Sequence, residues 1–178
     1  MVKKTGIQAA MATAAVVAFG VVTASPASAG GVNIQRIVNV NSNKCLEIPM
    51  YHDYDGAPAQ QWDCNGGANQ NWIVEGVQTA DGRLAWTFRN AESGKCLEVA
   101  DWRTDAGAPV RVWQCTGGAN QQWVDQGGQT GVSLRNVNSG MALDMPGFST
   151  ANDTDAVQWW PKGFSEPAAN QEWYYRAG

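Results

Sequence analysis

The stretch Gly66-Gly67-Ala68-Asn69-Gln70-Asn71-Trp72 recurs 51 positions later as Gly117-Gly118-Ala119-Asn120-Gln121-Gln122-Trp123. A third version, Ala168-Ala169-Asn170-Gln171-Glu172-Trp173, follows 50 positions after that. A second block keeps the same rhythm: Asn43-Lys44-Cys45-Leu46-Glu47-Ile48, Gly94-Lys95-Cys96-Leu97-Glu98-Val99 and Gly140-Met141-Ala142-Leu143-Asp144-Met145. Its offsets are 51 and then 46, so the units differ by loop insertions. The uneven spacing places an extra turn around Ala80-Asp81-Gly82-Arg83. In the third unit it places added residues before Gln158 and again around Gly163 to Pro167. Self-similarity at a fixed period marks a repeated architecture. Three units result, at about 34–78, 84–127 and 131–176.

Within each unit, short apolar or alternating runs are bounded by Gly, Asn, Asp and Pro. In the second unit these are Leu84 to Arg89, Lys95 to Val99, Val110 to Cys115 and Gln122 to Val124. None sustains a helical period, so they are predicted as strands. About twelve short strands in three like groups predict an all-β fold, closed or nearly so, since closure removes unpaired edges.

The four cysteines fit that register. Cys45 and Cys64 are 19 apart, as are Cys96 and Cys115, while the third unit is expected to hold Ala142 and Lys162 at those positions. Joint absence is what a within-unit pair predicts, so Cys45–Cys64 and Cys96–Cys115 are the expected disulfides. Each should stabilise by about 3 kcal/mol if loop entropy is the main term. Zinc is disfavoured because close C-x-x-C ligand pairs are missing. No metal or other cofactor is expected.

The 178 residues include one histidine, nine tryptophans and a formal net charge of -4. No long basic run is present, which argues against nucleic acid as a partner. The single His52 rules out a site built from several histidines. Residues 1–29 read as a secretory leader: Lys3 and Lys4, an apolar stretch from Ala9 to Val22, then Ala27-Ser28-Ala29 as the cleavage signal. The apolar stretch is shorter than the ~20 residues that span a bilayer, so a membrane anchor is the weaker reading. Residues 30–178 are thus expected to be exported, without insertion into a membrane.

Three copies of Gln-x-Trp (Gln70 to Trp72, Gln121 to Trp123, Gln171 to Trp173), preceded in two units by Cys-Leu-Glu with a within-unit cysteine pair and in the third by Ala-Leu-Asp, resemble the ricin B-type lectin domain. The resemblance covers roughly Ile34 to Tyr175. It implies a β-trefoil: a pseudo-threefold barrel capped by hairpins, carrying up to three shallow sugar sites. It also implies a non-catalytic carbohydrate-binding protein without a cofactor. The tryptophans of the Gln-x-Trp motif are expected in the core, where a buried indole contributes much apolar area.

A sugar is held by a carboxylate accepting from hydroxyls, an amide, and an aromatic ring under its apolar face. Carried over from the family, the first site comprises Glu47, Gln60, Trp62, Asn69 and Gln70, with Tyr51, His52 and Tyr54 nearby. The second comprises Glu98, Arg111, Trp113, Asn120 and Gln121. The third comprises Asp144, Gln158, Trp160, Asn170 and Gln171. Aspartate is the family's usual carboxylate, so the third site is expected to be best preserved. Glutamate reaches about 1.5 Å further, one carbon bond length, and Arg111 is expected to fork onto Glu98 and close the second site.

A hydrolase needs paired carboxylates, whereas these acids recur one per unit, and no Gly-x-Ser-x-Gly or His-Glu-x-x-His occurs. Asp53-Tyr54-Asp55-Gly56 and Asp153-Thr154-Asp155 lack the remaining ligands of a calcium loop. Asn152-Asp153-Thr154 fits a glycosylation acceptor. The competing function is a secreted adaptor whose surface binds another protein; a large exposed apolar patch would favour it, and small separate polar clefts would favour sugar.

Overall fold

The computed structural model describes residues 33–50, 52–163 and 168–178. The expected leader at 1–29 lies outside the described residues. The first unit contributes strands β1 (Ile34–Asn39), β2 (Cys45–Glu47), β3 (Gln60–Trp62) and β4 (Trp72–Gln78). The second contributes β5 (Leu84–Asn90), β6 (Cys96–Val99), β7 (Val110–Trp113) and β8 (Trp123–Gly127). The third has β9 (Val132–Asn136), β10 (Ala142–Asp144), the two-residue β11 (Thr154–Asp155), β12 (Val157–Trp159) and β13 (Trp173–Ala177).

Six of these close a ring: β1 pairs with β4, β4 with β5, β5 with β8, β8 with β9, β9 with β13, and β13 returns to β1. The remaining hairpins β2–β3, β6–β7 and β10–β12 each hang from the ring by one bridge, Val38 to Cys45, Arg89 to Cys96 and Arg135 to Ala142. They meet one another through Pro58 with Arg111, Pro109 with Val157, and Asp155 with Gln60. A six-stranded barrel capped by three hairpins in threefold arrangement is a β-trefoil, as the family resemblance implied.

Trp72, Trp123 and Trp173 are completely buried. A buried indole N–H requires an acceptor. Each finds one on the hairpin of its own unit, Leu46 O at 2.9 Å, Leu97 O at 3.2 Å and Leu143 O at 3.1 Å. The Gln-x-Trp tryptophans therefore tie cap to barrel while filling the core with Leu46, Leu97, Leu143 and Phe88.

Buried asparagines end β1, β5 and β9, a feature not anticipated from the sequence. The side chains of Asn39, Asn90 and Asn136 donate to Asn170 O, Asn69 O and Asn120 O, each in a neighbouring unit. Their Oδ1 atoms cap the turns that follow. In those turns Asn43, Gly94 and Gly140 have φ of 57°, 68° and 71°. Glycine and asparagine adopt this left-handed backbone most readily.

Both expected disulfides are present, with Cα atoms 5.1 Å apart for Cys45–Cys64 and 5.0 Å for Cys96–Cys115. The third-unit equivalents need correcting. Gln70, Gln121 and Gln171 each accept through Oε1 from a backbone N–H, that of Asn65, Thr116 and Lys162. Lys162 thus lies one residue beyond the cysteine position, which Pro161 occupies. The expected insertion before Gln158 is also absent. Carboxylate and facing strand are separated equally in all units, pairing Glu47 with Gln60, Glu98 with Arg111 and Asp144 with Val157. The extra residues of the third unit all fall between Trp160 and Gln171.

Candidate functional site

Each unit carries a buried carboxylate at or next to the end of its first hairpin strand, and the Asn-Gln pair in the short 3-10 turn before each Gln-x-Trp tryptophan is aimed at it. Asn69 and Gln70 donate to Glu47 Oε2 at 3.2 and 2.8 Å. Asn120 and Gln121 donate to Glu98 Oε2, both at 3.1 Å. Asn170 and Gln171 donate to Asp144 Oδ2 at 2.9 and 2.8 Å. The same glutamines donate to Asp63 O, Gln114 O and Trp160 O. One amide pair therefore fixes the acid and the end of the facing strand together.

The units differ at the second carboxylate oxygen. Gln60 donates to Glu47 Oε1 at 3.0 Å. Arg111 Nε donates to Glu98 Oε1 at 3.0 Å, and its Nη2 to Asp101 Oδ1 at 2.8 Å. In the third unit the facing residue is Val157, which has no donor to offer, and Asp144 Oδ1 accepts no hydrogen bond among the described residues.

Two sequence-based assignments in the third unit are corrected by this register. Gln158 faces Leu143, not Asp144. Its side chain is fully buried on the opposite face, donating to Arg103 O and Asp105 O and accepting from Ser139. Gln61 does the same with Ser149 O, Ala151 O and Ser42. Trp160 stands one residue past the platform position. Trp159 pairs with Ala142 as Trp62 pairs with Cys45 and Trp113 with Cys96. The physical cause is the strand period of two, in which a slip of one residue exchanges faces.

The third-unit cleft has a volume of about 260 Å³ and is lined by Asp144, Pro146, Gly147, Phe148, Trp159, Lys162 and Asn170. Lys162 Nζ donates to Asn170 Oδ1 at 2.7 Å and lies 3.8 Å from the centre of the Phe148 ring. Burial raises the pKa of Asp144; hydrogen bonds from Gln171 and Asn170 and the charge of Lys162 pull the other way. The result is a buried carboxylate with one oxygen free of donors among the described residues, in a cleft shared with two aromatic rings and an ammonium group.

In the second unit the expected Arg111–Glu98 pair forms, but it does not fill the site. The guanidinium lies over Trp113, with its carbon 4.5 Å from the ring centre. A cleft of about 200 Å³ remains, lined by Glu98, Asp101, Trp102, Arg111, Trp113, Thr116 and Asn120. Trp102 and Phe148 sit at equivalent positions, four residues after the carboxylate. Both are in left-handed backbone, with φ of 56° and 57°. Close approach also matters, since a Cβ on Gly118 would lie 2.7 Å from the Trp102 ring. Both aromatic walls were missed in the sequence, although every unit carries an aromatic residue at this position, Tyr51, Trp102 or Phe148.

In the first unit, Glu47 has both oxygens engaged from within the protein. Tyr51 lies outside the described residues. His52 and Tyr54 pack on each other with ring centres 5.4 Å apart. The hollow beside Ile48, Pro49 and His52 is only about 10 Å³.

With this geometry in view, comparison with known proteins gives the class. Residues 33–176 match the family model for the ricin-type beta-trefoil lectin domain. The chain belongs to that family, and a carbohydrate-binding role follows at that level. ThreeFoil, a designed 3-fold symmetric protein, is 31% identical with a TM-score of 0.71, over 80% of this chain and 97% of ThreeFoil. The exo-beta-1,3-galactanase 1,3Gal43A from Clostridium thermocellum is 25% identical with a TM-score of 0.73, over 86% of this chain and 31% of the enzyme. Serine protease 1 from Rarobacter faecitabidus is 29% identical over 114 residues, 46% of this chain and 22% of the protease. The chain thus spans under a quarter of that relative. Its two disulfides are compatible with an extracellular location.

Proposed function

We propose that this chain is a secreted, non-catalytic lectin whose principal sugar site is the third-unit cleft. The observation that carries this reading is the unpartnered Oδ1 of Asp144, beside Trp159, Phe148 and Lys162. A sugar hydroxyl donates to Oδ1, a neighbouring hydroxyl accepts from the Lys162 ammonium, and the apolar face of the ring rests on an indole or phenyl ring. The second cleft is subsidiary, because Glu98 already spends both oxygens on protein donors. The first contributes little for the same reason.

Of the exposed aromatics among the described residues, Trp102 lies in one cleft and Phe148 and Trp159 in the other, each beside converging polar groups, while Tyr54 and Trp160 stand outside both. That arrangement favours a sugar over a protein partner. The galactanase acts on a galactan, so β-1,3-linked galactose is the first polymer to try. Each shallow site is expected to bind weakly, near ~1 mM, and a polymer engaging two clefts is retained by effective concentration.

The test is retention on insoluble polysaccharides by the wild type and by Asp144→Asn. That substitution keeps an oxygen for Asn170 and Gln171 while removing the charge. Loss of one charge-assisted hydrogen bond lowers retention about tenfold or more, while Glu98→Gln leaves it within about twofold. Equal losses from both variants, or none from either, overturn this ranking of the sites.

A further inference from the structure

A second hollow, about 330 Å³, lies between the β8–β9 hairpin and the residues flanking the third-unit insertion. Ser133 and Arg135, two apart on β9 and therefore on one face, both line it, as do Gln126 and Lys162. Ser133 is 6% exposed and its Oγ has no hydrogen-bond partner. Arg135 Nε is also buried without a partner, and among the described residues no carboxylate forms an ion pair with this guanidinium. Guanidinium groups stay charged in proteins, so this half-buried charge has no counter-charge paired with it among the described residues.

The internal repeat shows the equivalent arginine with a carboxylate beside it. Arg89 on β5 occupies the position equivalent to Arg135, each bridging to the first residue of its hairpin, Cys96 or Ala142. Arg89 lies 3.9 Å from Glu75 on β4. Glu75 faces Thr87 just as Gln126 on β8 faces Ser133, so the acid of one hairpin is an amide in the other. Among the described residues Glu172 is the only carboxylate lining the hollow, and it is occupied by the hairpin tip. It accepts from Gln129 N at 2.7 Å, Thr130 N at 2.9 Å and Thr130 Oγ1 at 2.6 Å.

We infer that this hollow is a carboxylate-binding site, in which Arg135, assisted by the Ser133 hydroxyl, takes the anion that Glu75 supplies to Arg89. The planar fork of arginine matches a carboxylate, and the hollow has room for a monosaccharide acid. Lys162 borders both this hollow and the Asp144 cleft. A uronate within a polysaccharide and a small free carboxylate share the required chemistry. The site stands independently of whether the Asp144 cleft binds sugar.

Glucuronate, acetate and glucose are titrated into the full-length protein while the Arg135 Nε–H resonance is followed by NMR. Glucuronate and acetate are expected to give saturable shifts that glucose at the same concentration does not. Tighter binding of glucuronate identifies an acidic sugar as the source; equal binding identifies a small carboxylate, and either supports the site. Gln126→Glu restores the internal acid and should weaken binding about tenfold, the value of a charge-assisted hydrogen bond, without lowering Tm. Asp144→Asn should leave it unchanged. No shift at Arg135 with either carboxylate, or unaltered affinity in Gln126→Glu, overturns the inference.

Discussion

Glu47 and Asp144 end equivalent strands, β2 and β10, and receive the same pair of amides from the turn before the Gln-x-Trp tryptophan. Across the hairpin, Gln60 meets the first and Val157 stands before the second. The extra donor satisfies Glu47 completely, whereas the missing one leaves an oxygen of Asp144 open. A buried carboxylate that folding fully satisfies is a structural anchor; one left a donor short is prepared for a ligand. The third unit also dispenses with the disulfide that closes the other two. Ligand readiness and covalent restraint are thus distributed in opposite senses around one pseudo-threefold axis.

This contrast can be broken from either side. The largest effect is expected from Cys96→Ser with Cys115→Ser, which gives the second unit the third unit's uncrosslinked state. Removing that loop closure should cost about 3 kcal/mol in the chain-entropy account. Urea unfolding measures it, and an unchanged midpoint would show that this loop is already held as firmly without the bond. A smaller effect is expected from Val157→Gln, which installs the first unit's donor opposite Asp144. Competition for Oδ1 should reduce polysaccharide retention about tenfold, and full retention would mean that the open oxygen is not what the sugar uses.

The smallest effect is a dependence on pH. Burial raises the pKa of Asp144, so its proton is taken up above the ~3.9 of an exposed aspartate. On acidification, retention should therefore start to fall at a higher pH than that value suggests. Stability runs the other way: between the unfolded and folded pKa the native state binds the proton more readily, so this group's contribution declines as pH rises. Asp144→Asn should abolish both slopes. Retention that is flat down to pH 4 would remove the ionised carboxylate from the binding step.

The periodic features of the fold could be read in the sequence because each is stated three times. Strand grouping, the Gln-x-Trp core and the cysteine pairing all depend on spacing that loops do not disturb. The third site was misread where residue identity was followed in preference to spacing. Gln158 looks like Gln60, yet the separation from Glu47 to Gln60 is repeated from Asp144 to Val157. Counting along the strand therefore points to Val157 and Trp159. Trp102 and Phe148 yield to the same counting, since each stands four residues after its carboxylate as Tyr51 does after Glu47; what strand periodicity does not encode is the left-handed turn that brings them to their clefts. The isolation of Arg135 depends on what faces it across β8, and pairing register emerges only once the strands are assembled.

The buried asparagines at the ends of β1, β5 and β9 carry a further meaning. Asn39 donates to the third unit, Asn90 to the first and Asn136 to the second. Gln61 and Gln158 likewise spend their amides on carbonyls of adjoining units. A single unit cut from the ring would expose carbonyls and amides whose partners belong to another unit, along with an indole lacking most of its packing. The chain repeats a motif three times without containing three modules. Its smallest self-sufficient piece is the complete circle, and a circular permutant that preserves all three seams keeps what no one-third fragment can.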